Sequence, residues 1–377
     1  MMERYNADSL YIHFPFCRHL CNYCDFYKKV PQNRGQELSS FHQFLEDSWI
    51  KHEELLSREA YQLSPLKTLY FGGGTPSLWD TDGVNFLENF FKEKGLKLDP
   101  DGEFTLEVNP GTWTEQGLKR WQEFGINRFS LGIQSLRSDF LKVLDRVHSL
   151  QDVHDTLTFF GENQFNFSVD FMLGLPLSKE MKRDVIAELE EILKYGPSHI
   201  SLYILTVKGG YPYKDKLPDD EWIEDEYLKV SRYLKDKGFL HYEVSNFAYK
   251  GRESRHNLNY WKSSTVMALG PSATGYLGEA GIRYKWKTSG PNYIVESLNE
   301  SERKLENFYM ALRTNEGVNL SHFFNDDVLL KVKNKALEWE AKGLLDINNN
   351  DRITLSSKGY LILDSLLDEV FLLDPSF

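Results

Sequence analysis

Cysteine is scarce in this chain, three in 377 residues, and no run of about 18 apolar residues occurs, so no segment suits a bilayer-spanning helix. The opening Met1-Met2-Glu3-Arg4-Tyr5-Asn6-Ala7-Asp8 has no apolar core of the length a secretory signal needs. Positive charge is in deficit, with 44 Lys and Arg against 56 Asp and Glu. A net charge of −12 argues against a protein that works on nucleic-acid backbone or anionic lipid. An odd number of thiols without an export signal does not build a secreted disulfide scaffold. It points to a reducing compartment and a cytoplasmic protein. Internal repeats and low-complexity tracts are missing too. At this length one large barrel or two domains is expected.

The first 237 or so residues alternate short β-rich runs with longer amphipathic ones. Strands are expected at Leu10–Phe14, Thr68–Gly72, Phe104–Val108, Arg128–Ile133, Asn166–Met172 and Ile200–Leu205. Helices are expected at Gln36–Ser57, Val84–Lys94, Thr114–Phe124, Val153–Asn163, Lys179–Tyr195 and Asp220–Lys237. Six β/α units make a parallel sheet with helices outside, too few for an eight-fold barrel, so the expected core is an open, partial (β/α)6 barrel. Residues 238–300 have weak periodicity and read as loop-rich connecting structure. From 301 to 377 a helix (Val328–Ala341), a hairpin (Leu344–Ile347 and Arg352–Leu355) and a second helix (Ser357–Leu367) resemble a winged-helix α+β domain. That unit holds 9 Lys and Arg against 13 Asp and Glu, so a packing or partner-docking role is expected rather than DNA binding.

All three cysteines, Cys17, Cys21 and Cys24, fall within eight positions, spaced C-x3-C-x2-C, with Tyr23 just before the third. Three thiolates hold three irons of a [4Fe–4S] cluster and leave the fourth iron open for a ligand. The other reading is a zinc site completed by His13 or His19, but structural zinc motifs present two separated ligand pairs and here there is no second pair. Gly72-Gly73-Gly74-Thr75-Pro76 ends the second strand. Consecutive glycines let backbone N–H groups approach an anionic head group, or simply make a tight turn. No Lys-Ser/Thr follows, so it is not a P-loop. His256-Asn257-Leu258-Asn259-Tyr260-Trp261 sets an imidazole before two aromatics. The spacing is compatible with an axial ligand and stacking faces for a flat macrocycle, and equally with a buried histidine among packing aromatics. No C-x-x-C-H occurs, which excludes thioether attachment of haem.

The cysteine spacing with its aromatic, followed by GGGTP at the second strand, resembles the radical S-adenosylmethionine (SAM) superfamily. The resemblance implies a [4Fe–4S] cluster on Cys17, Cys21 and Cys24 whose open iron is chelated by SAM. It implies an electron donor such as a flavodoxin or ferredoxin. Glu107-Val-Asn-Pro-Gly-Thr112, Gly132-Ile-Gln-Ser135, Asp145-Arg146-Val-His148, Val169-Asp170-Phe-Met-Leu-Gly-Leu-Pro176 and the His256–Trp261 string narrow it. They are similar to the branch of oxygen-independent coproporphyrinogen III dehydrogenases and related haem chaperones, in order along nearly the whole chain. By that resemblance Glu107, with Gly73, Gly74 and Thr75, binds the SAM amine or carboxylate. Tyr11, Tyr23, Gln134, Arg146, Asp170 and Thr206 match positions lining SAM, each expected at or just beyond a strand's C-terminal end. Asp170 also reads as a hydrogen-bonded core carboxylate, and Arg146 as a surface ion pair.

The dehydrogenase pattern carries a fourth cysteine where this chain has Phe26, and an N-terminal lid where only ten residues precede Tyr11. Both departures favour the chaperone branch. Haem contact at His256, Tyr260 and Trp261 and transfer to a haem-accepting, respiratory protein are then implied, with at most peripheral membrane association. Arg252 and Arg255 are candidates to pair haem propionates. The alternative is oxidative decarboxylation of coproporphyrinogen III.

Overall fold

The computed structural model describes residues 4–207 and 209–374, so Met1–Glu3 of the N-terminal reading lie outside it. Six parallel strands form the core: β1 (Tyr5–Phe14), β2 (Tyr61–Gly73), β3 (Leu98–Val108), β4 (Arg128–Gln134), β5 (Phe167–Leu173) and β6 (His199–Ile204). They are joined by helices α1 (Arg34–Arg58), α2 (Asp80–Lys94), α3 (Glu115–Phe124), α4 (Ser138–Val143), α5 (Leu150–Glu162) and α6 (Val185–Leu193), and α7 (Asp220–Asp236) follows β6. Their sheet order, β6-β5-β4-β3-β2-β1, is the one a partial (β/α)6 barrel requires.

Period-2 alternation explains both faces of this sheet. One set (Leu10, Ile12 and Phe14; Leu69 and Phe71; Leu106 and Val108; Leu131 and Ile133; Val169 and Phe171) joins Leu45, Leu87, Trp121, Leu157 and Leu189 of the helices in one buried apolar core. The other set faces inward and is polar: Ser9, Tyr11 and His13; Thr68 and Tyr70; Thr105 and Glu107; Arg128 and Ser130; Ser168 and Asp170; His199, Ser201 and Tyr203. Hydrogen bonds across the interior, Ser130 Oγ to Asp170 at 3.2 Å and Tyr70 Oη to Glu107 at 2.9 Å, fix that orientation. A closed eight-fold barrel fills its centre with branched apolar side chains. This one keeps a polar lumen.

The 238–300 segment departs from the loop-rich expectation. β7 (Leu240–Glu243) and β8 (Asn246–Ala248) extend the sheet antiparallel beyond β6, and β9 (Met267–Leu269) joins it parallel beside β1, giving nine strands in all. β10 (Thr274–Leu277), β11 (Ile282–Trp286) and β12 (Tyr293–Ser297) form a separate antiparallel sheet. Runs of three to five residues are too short for a period to register. Between β8 and β9 sits α8 (Arg255–Trp261).

The remaining residues supply α9 (Glu300–Leu312), β13 (Val318–Asn319), α10 (Asp326–Ala341), β14 (Leu345–Ile347), β15 (Arg352–Leu355), α11 (Ser357–Leu361) and α12 (Leu363–Leu373). This helix–hairpin–helix unit has its own core around Phe308, Val332, Trp339, Ile353 and Leu366. It is tied to the barrel where Ser357 meets Ser231 at 2.7 Å, Lys235 at 2.7 Å and His241 at 3.0 Å. Among the described residues no helix is long and apolar enough to cross a membrane.

Candidate functional site

The cysteine loop leaves β1 and is closed at its base by backbone bonds: Lys29 N–H to Pro15 O at 2.8 Å and Cys17 N–H to Lys29 O at 3.0 Å. Gly74 N–H donates to Phe14 O at 2.7 Å, holding the glycine run against the loop's root. A Cβ on Gly74 would stand 2.6 Å from Phe16 O, so only glycine permits that approach. Gly73, at φ +112°, turns the chain where β2 ends. All three thiols are free and line one cavity with Thr75, Asn109, Arg146 and His148.

Among the described residues no three His, Cys, Asp or Glu side chains converge closely enough to hold one metal ion. Three thiols around one cavity fit a polynuclear cluster, in which each binds a separate iron. Burial raises the Cys17 and Cys21 thiols, opposed by the Thr75 hydroxyl at Cys17 and by Arg146 at Cys21. A bound cationic centre would supply the compensation these thiolates need. On the loop's outer side a cavity of about 510 Å³, lined by Phe14, Phe16, Arg18, Arg34 and Leu38, also reaches Cys17.

Glu107 sits where β3 reaches the lumen mouth. Its carboxylate accepts from Tyr70 Oη at 2.9 Å and from Gly73 N–H at 3.1 Å. Burial, then the charge of Asp170, raises its pKa to about 7. Asp170 is raised to about 6 by burial and eased back by Ser201 and Ser130. Two carboxyls poised near neutrality attract a cationic ligand. Gln134 holds a positive φ of 68° at the end of β4, a strain that favours glycine elsewhere and clusters at functional sites.

Arg146 is not a surface ion pair. It donates to Asn109 Oδ1 at 2.7 Å and Gly132 O at 2.9 Å and reaches Tyr23 Oη at 3.5 Å. Asn109 in turn donates to Thr75 Oγ1 at 3.0 Å, and Thr75 to Cys17 Sγ at 3.5 Å. One polar chain thus runs from the Tyr23 side of the loop to its first thiol. Asn109, in the Glu107–Thr112 motif, is its hinge. Its sequence signal is its place two residues past Glu107 at a strand end. His19 Nε2 lies 2.9 Å from Asp145 Oδ2 without forming a hydrogen bond.

Two expectations need correction. Tyr11 and Asp170 are not at strand ends: each lies three residues before the end of its strand, inside the lumen. Tyr11 Oη bonds His13 Nδ1 at 3.0 Å. Alternation buries them because a residue facing inward three positions early still looks into the same space. Thr206 is exposed two residues past β6, and among the described residues no hydrogen bond ties it to this group.

The His256–Trp261 string forms α8, across the opposite, N-terminal end of the lumen. Its first backbone N–H groups, of Arg255 and His256, donate to Glu103 of β3 at 3.0 and 2.9 Å. Asn259 bridges Ser9 at 3.0 Å and Thr68 at 3.3 Å. His256 is 1 % exposed, with Nδ1 2.8 Å from Thr68 Oγ1 and Nε2 3.2 Å from Tyr260 Oη. Its ring stacks on Tyr70 at 5.2 Å, and burial lowers its pKa to about 3. Trp261 lies under the Arg313 guanidinium, 4.4 Å from its ring centre. As folded, α8 plugs the barrel and neither imidazole nitrogen faces open space. Arg255 donates to Asp101 O at 2.6 Å, and Arg252 is exposed.

The profile of the radical SAM superfamily matches residues 11–189. The protein named Heme chaperone HemW from Lactococcus lactis is 29 % identical over 398 aligned residues, covering 100 % of both chains. Heme chaperone HemW from Synechocystis is 34 % identical, covering 82 % of this chain and 79 % of that one. In three dimensions the chain is similar to coproporphyrinogen III oxidase HemN of Escherichia coli, a radical SAM enzyme, with a TM-score of 0.76 over 97 % of this chain and 90 % of that one. At 18 % identity that likeness carries the fold alone.

Proposed function

Because this chain belongs to the radical SAM superfamily and, within it, to the HemW family, we propose that it is a haem chaperone that passes haem to an acceptor protein used in respiration. The observation that carries this reading is kinship from end to end, the C-terminal unit included. Cys17, Cys21 and Cys24 would hold a [4Fe–4S] cluster, and Gly73, Gly74, Thr75 and Glu107 would hold the SAM head group. When bound, the cluster supplies a low-potential electron and one iron with an open position.

The chain's own residues do the holding. Glu107, charged above about pH 7, pairs the SAM ammonium. Thr75 and Asn109 steady Cys17, and Arg146 keeps Tyr23 over the loop, where its ring excludes water. Tyr11, Gln134 and Asp170 would line the ligand from the lumen side, with Thr206, exposed in the loop after β6, as a further lining position. An electron donor, a flavodoxin or ferredoxin, would be the redox partner. Haem contact at His256, Tyr260 and Trp261 requires α8 to open, since the Thr68 and Tyr260 hydrogen bonds occupy both imidazole nitrogens. We place the protein in the cytoplasm, with at most peripheral contact to a membrane.

The test is anaerobic. Reconstituted protein titrated with haem develops a Soret band and then gives the haem up to an apo-haemoprotein. Given coproporphyrinogen III, SAM and a reductant, it yields no protoporphyrinogen IX. Catalytic formation of protoporphyrinogen IX would overturn the chaperone reading.

A further inference from the structure

With α8 closed, His256 offers haem no open nitrogen. A different place on the folded chain suits a macrocycle: the cavity of about 510 Å³ on the outer side of the cysteine loop. Its size falls within the roughly 300–1,000 Å³ range of cofactor sites. Buried Phe14, Phe16 and Leu38 line it from the core side, and half-buried Leu78 and Trp113 complete an apolar lining. Among the described residues, other cavities of 420–480 Å³ are lined mainly by polar and charged side chains. Aromatic and aliphatic walls with a few placed polar groups are what hold a flat aromatic ligand.

The polar groups here are two guanidiniums and one acid. Arg18 is exposed and donates to a carbonyl, Gly111 O. Asp152 senses its charge but is engaged by the backbone and hydroxyl of Ser149, each at 2.7 Å. Arg34 donates to Leu78 O at 3.0 Å and reaches Asp82 at 3.5 Å, an exposed pair that water screens. The acid, Asp80, is turned away: a Cβ on Gly117 would stand 2.0 Å from Asp80 Oδ1. It faces the first turn of α3, whose N-terminal dipole offsets its charge. Asp80 holds this orientation at a φ of +55°, a strain that side chains other than glycine rarely accept and that concentrates at ligand sites. The cavity is therefore electropositive, in a chain whose net charge is −12.

Apolar walls beside two forked donors match a planar apolar ring that carries carboxylates. A free phosphate would leave the apolar lining unused. Among the lining residues only Cys17 is a strong metal ligand, and it belongs to the cluster triad. A macrocycle seated here is held by its face and its acid arms, with its iron left free. Release then breaks no coordinate bond, which suits a protein that must hand its cargo on.

We propose that this outer cavity, with Trp113 as stacking face and Arg18 and Arg34 as carboxylate partners, is the seat where the folded chain takes up its tetrapyrrole. Uptake then happens beside the cysteine loop and before α8 opens. The identity of the ligand rests on the haem-carrying reading above; the cavity and its charge do not. Protoporphyrin IX, which has no iron to ligate, and its dimethyl ester are titrated into the full reconstituted chain by fluorescence quenching. Wild type is expected to bind the acid about tenfold more tightly than the ester, the worth of roughly one charge-assisted hydrogen bond. Arg18→Gln combined with Arg34→Gln should lose that preference at unchanged ester affinity; both side chains are exposed, so the fold is kept. Trp113→Leu should weaken acid and ester alike. Equal binding of acid and ester by wild type, a preference that survives in the double variant, or full affinity in folded Trp113→Leu overturns the seat. Binding of haem but not of protoporphyrin IX also overturns it, by tying uptake to iron ligation, and leaves the haem-carrying reading standing. Binding of neither overturns that reading, and the seat's ligand with it.

Discussion

His256→Ala separates a plug from a ligand. In the folded chain His256 is held by Thr68 at 2.8 Å and Tyr260 at 3.2 Å and stacks on Tyr70. Truncation strands the Tyr260 hydroxyl, while Thr68 keeps a contact from Asn259 at 3.3 Å. A stranded buried partner costs roughly 1–3 kcal/mol, and the void left by the ring adds about 1–2 kcal/mol. The sum, about 2–5 kcal/mol, should lower the melting temperature of haem-free protein by roughly 3–6 °C in a chain of this length. Circular dichroism melts without porphyrin read it directly. A second signature is acid sensitivity. The ring's pKa is depressed to about 3, so its contribution is complete above the unfolded value near 6.5 and is lost as pH falls from there towards 3. The variant should lose that share of the acid limb. A haem-free variant that melts within a degree of wild type yet fails to bind haem would refute the reasoning: His256 would then be an open ligand, and α8 no plug.

Gly74→Ala pushes a Cβ to 2.6 Å from Phe16 O and should displace the loop's root; iron per chain after reconstitution falls well below about four while far-UV circular dichroism is kept, and full iron loading would contradict it. Asn109→Ala cuts the chain from Arg146 to Thr75 and Cys17; equilibrium dialysis should show SAM affinity down about tenfold, the loss of roughly one charge-assisted hydrogen bond, and unaltered affinity would make Asn109 a bystander. Glu107, raised to about 7, is protonated below that pH and charged above it, so SAM affinity should climb between pH 6 and 8, and Glu107→Gln should bind weakly with no such slope. A flat wild-type profile would remove Glu107 from the ammonium site.

The part of this molecule that could be read before folding is the part its alternation encodes. The six barrel strands are legible because their outward residues, such as Leu10, Ile12 and Phe14 or Leu131 and Ile133, are apolar enough to stand out. The same alternation hid the interior. Polar residues between apolar ones read as a solvent face, yet here Tyr70, Thr105, Arg128 and Asp170 look at one another across a curved sheet, and only curvature brings them together. Short strands such as Asn246–Ala248 and Met267–Leu269 carry too few residues for any period, so their place in the main sheet came from pairing partners some 50 to 250 residues away.

Motif residues were recoverable from spacing where chemistry demands contiguity, as with Cys17, Cys21 and Cys24. They were not where the contact is tertiary: Asn109 meets Arg146 and Thr75 only because three strand ends converge. The His256–Trp261 string shows the same limit from the other side. Its spacing suits a macrocycle, but Ser9, Thr68 and Glu103 from three strands bind α8 from within the barrel floor. Tyr70 stacks on His256 at one end and donates to Glu107 at the other. Any opening of α8 that frees the imidazole therefore also removes a packing partner from the tyrosine that donates to Glu107, so the two ends of the lumen are linked through Tyr70.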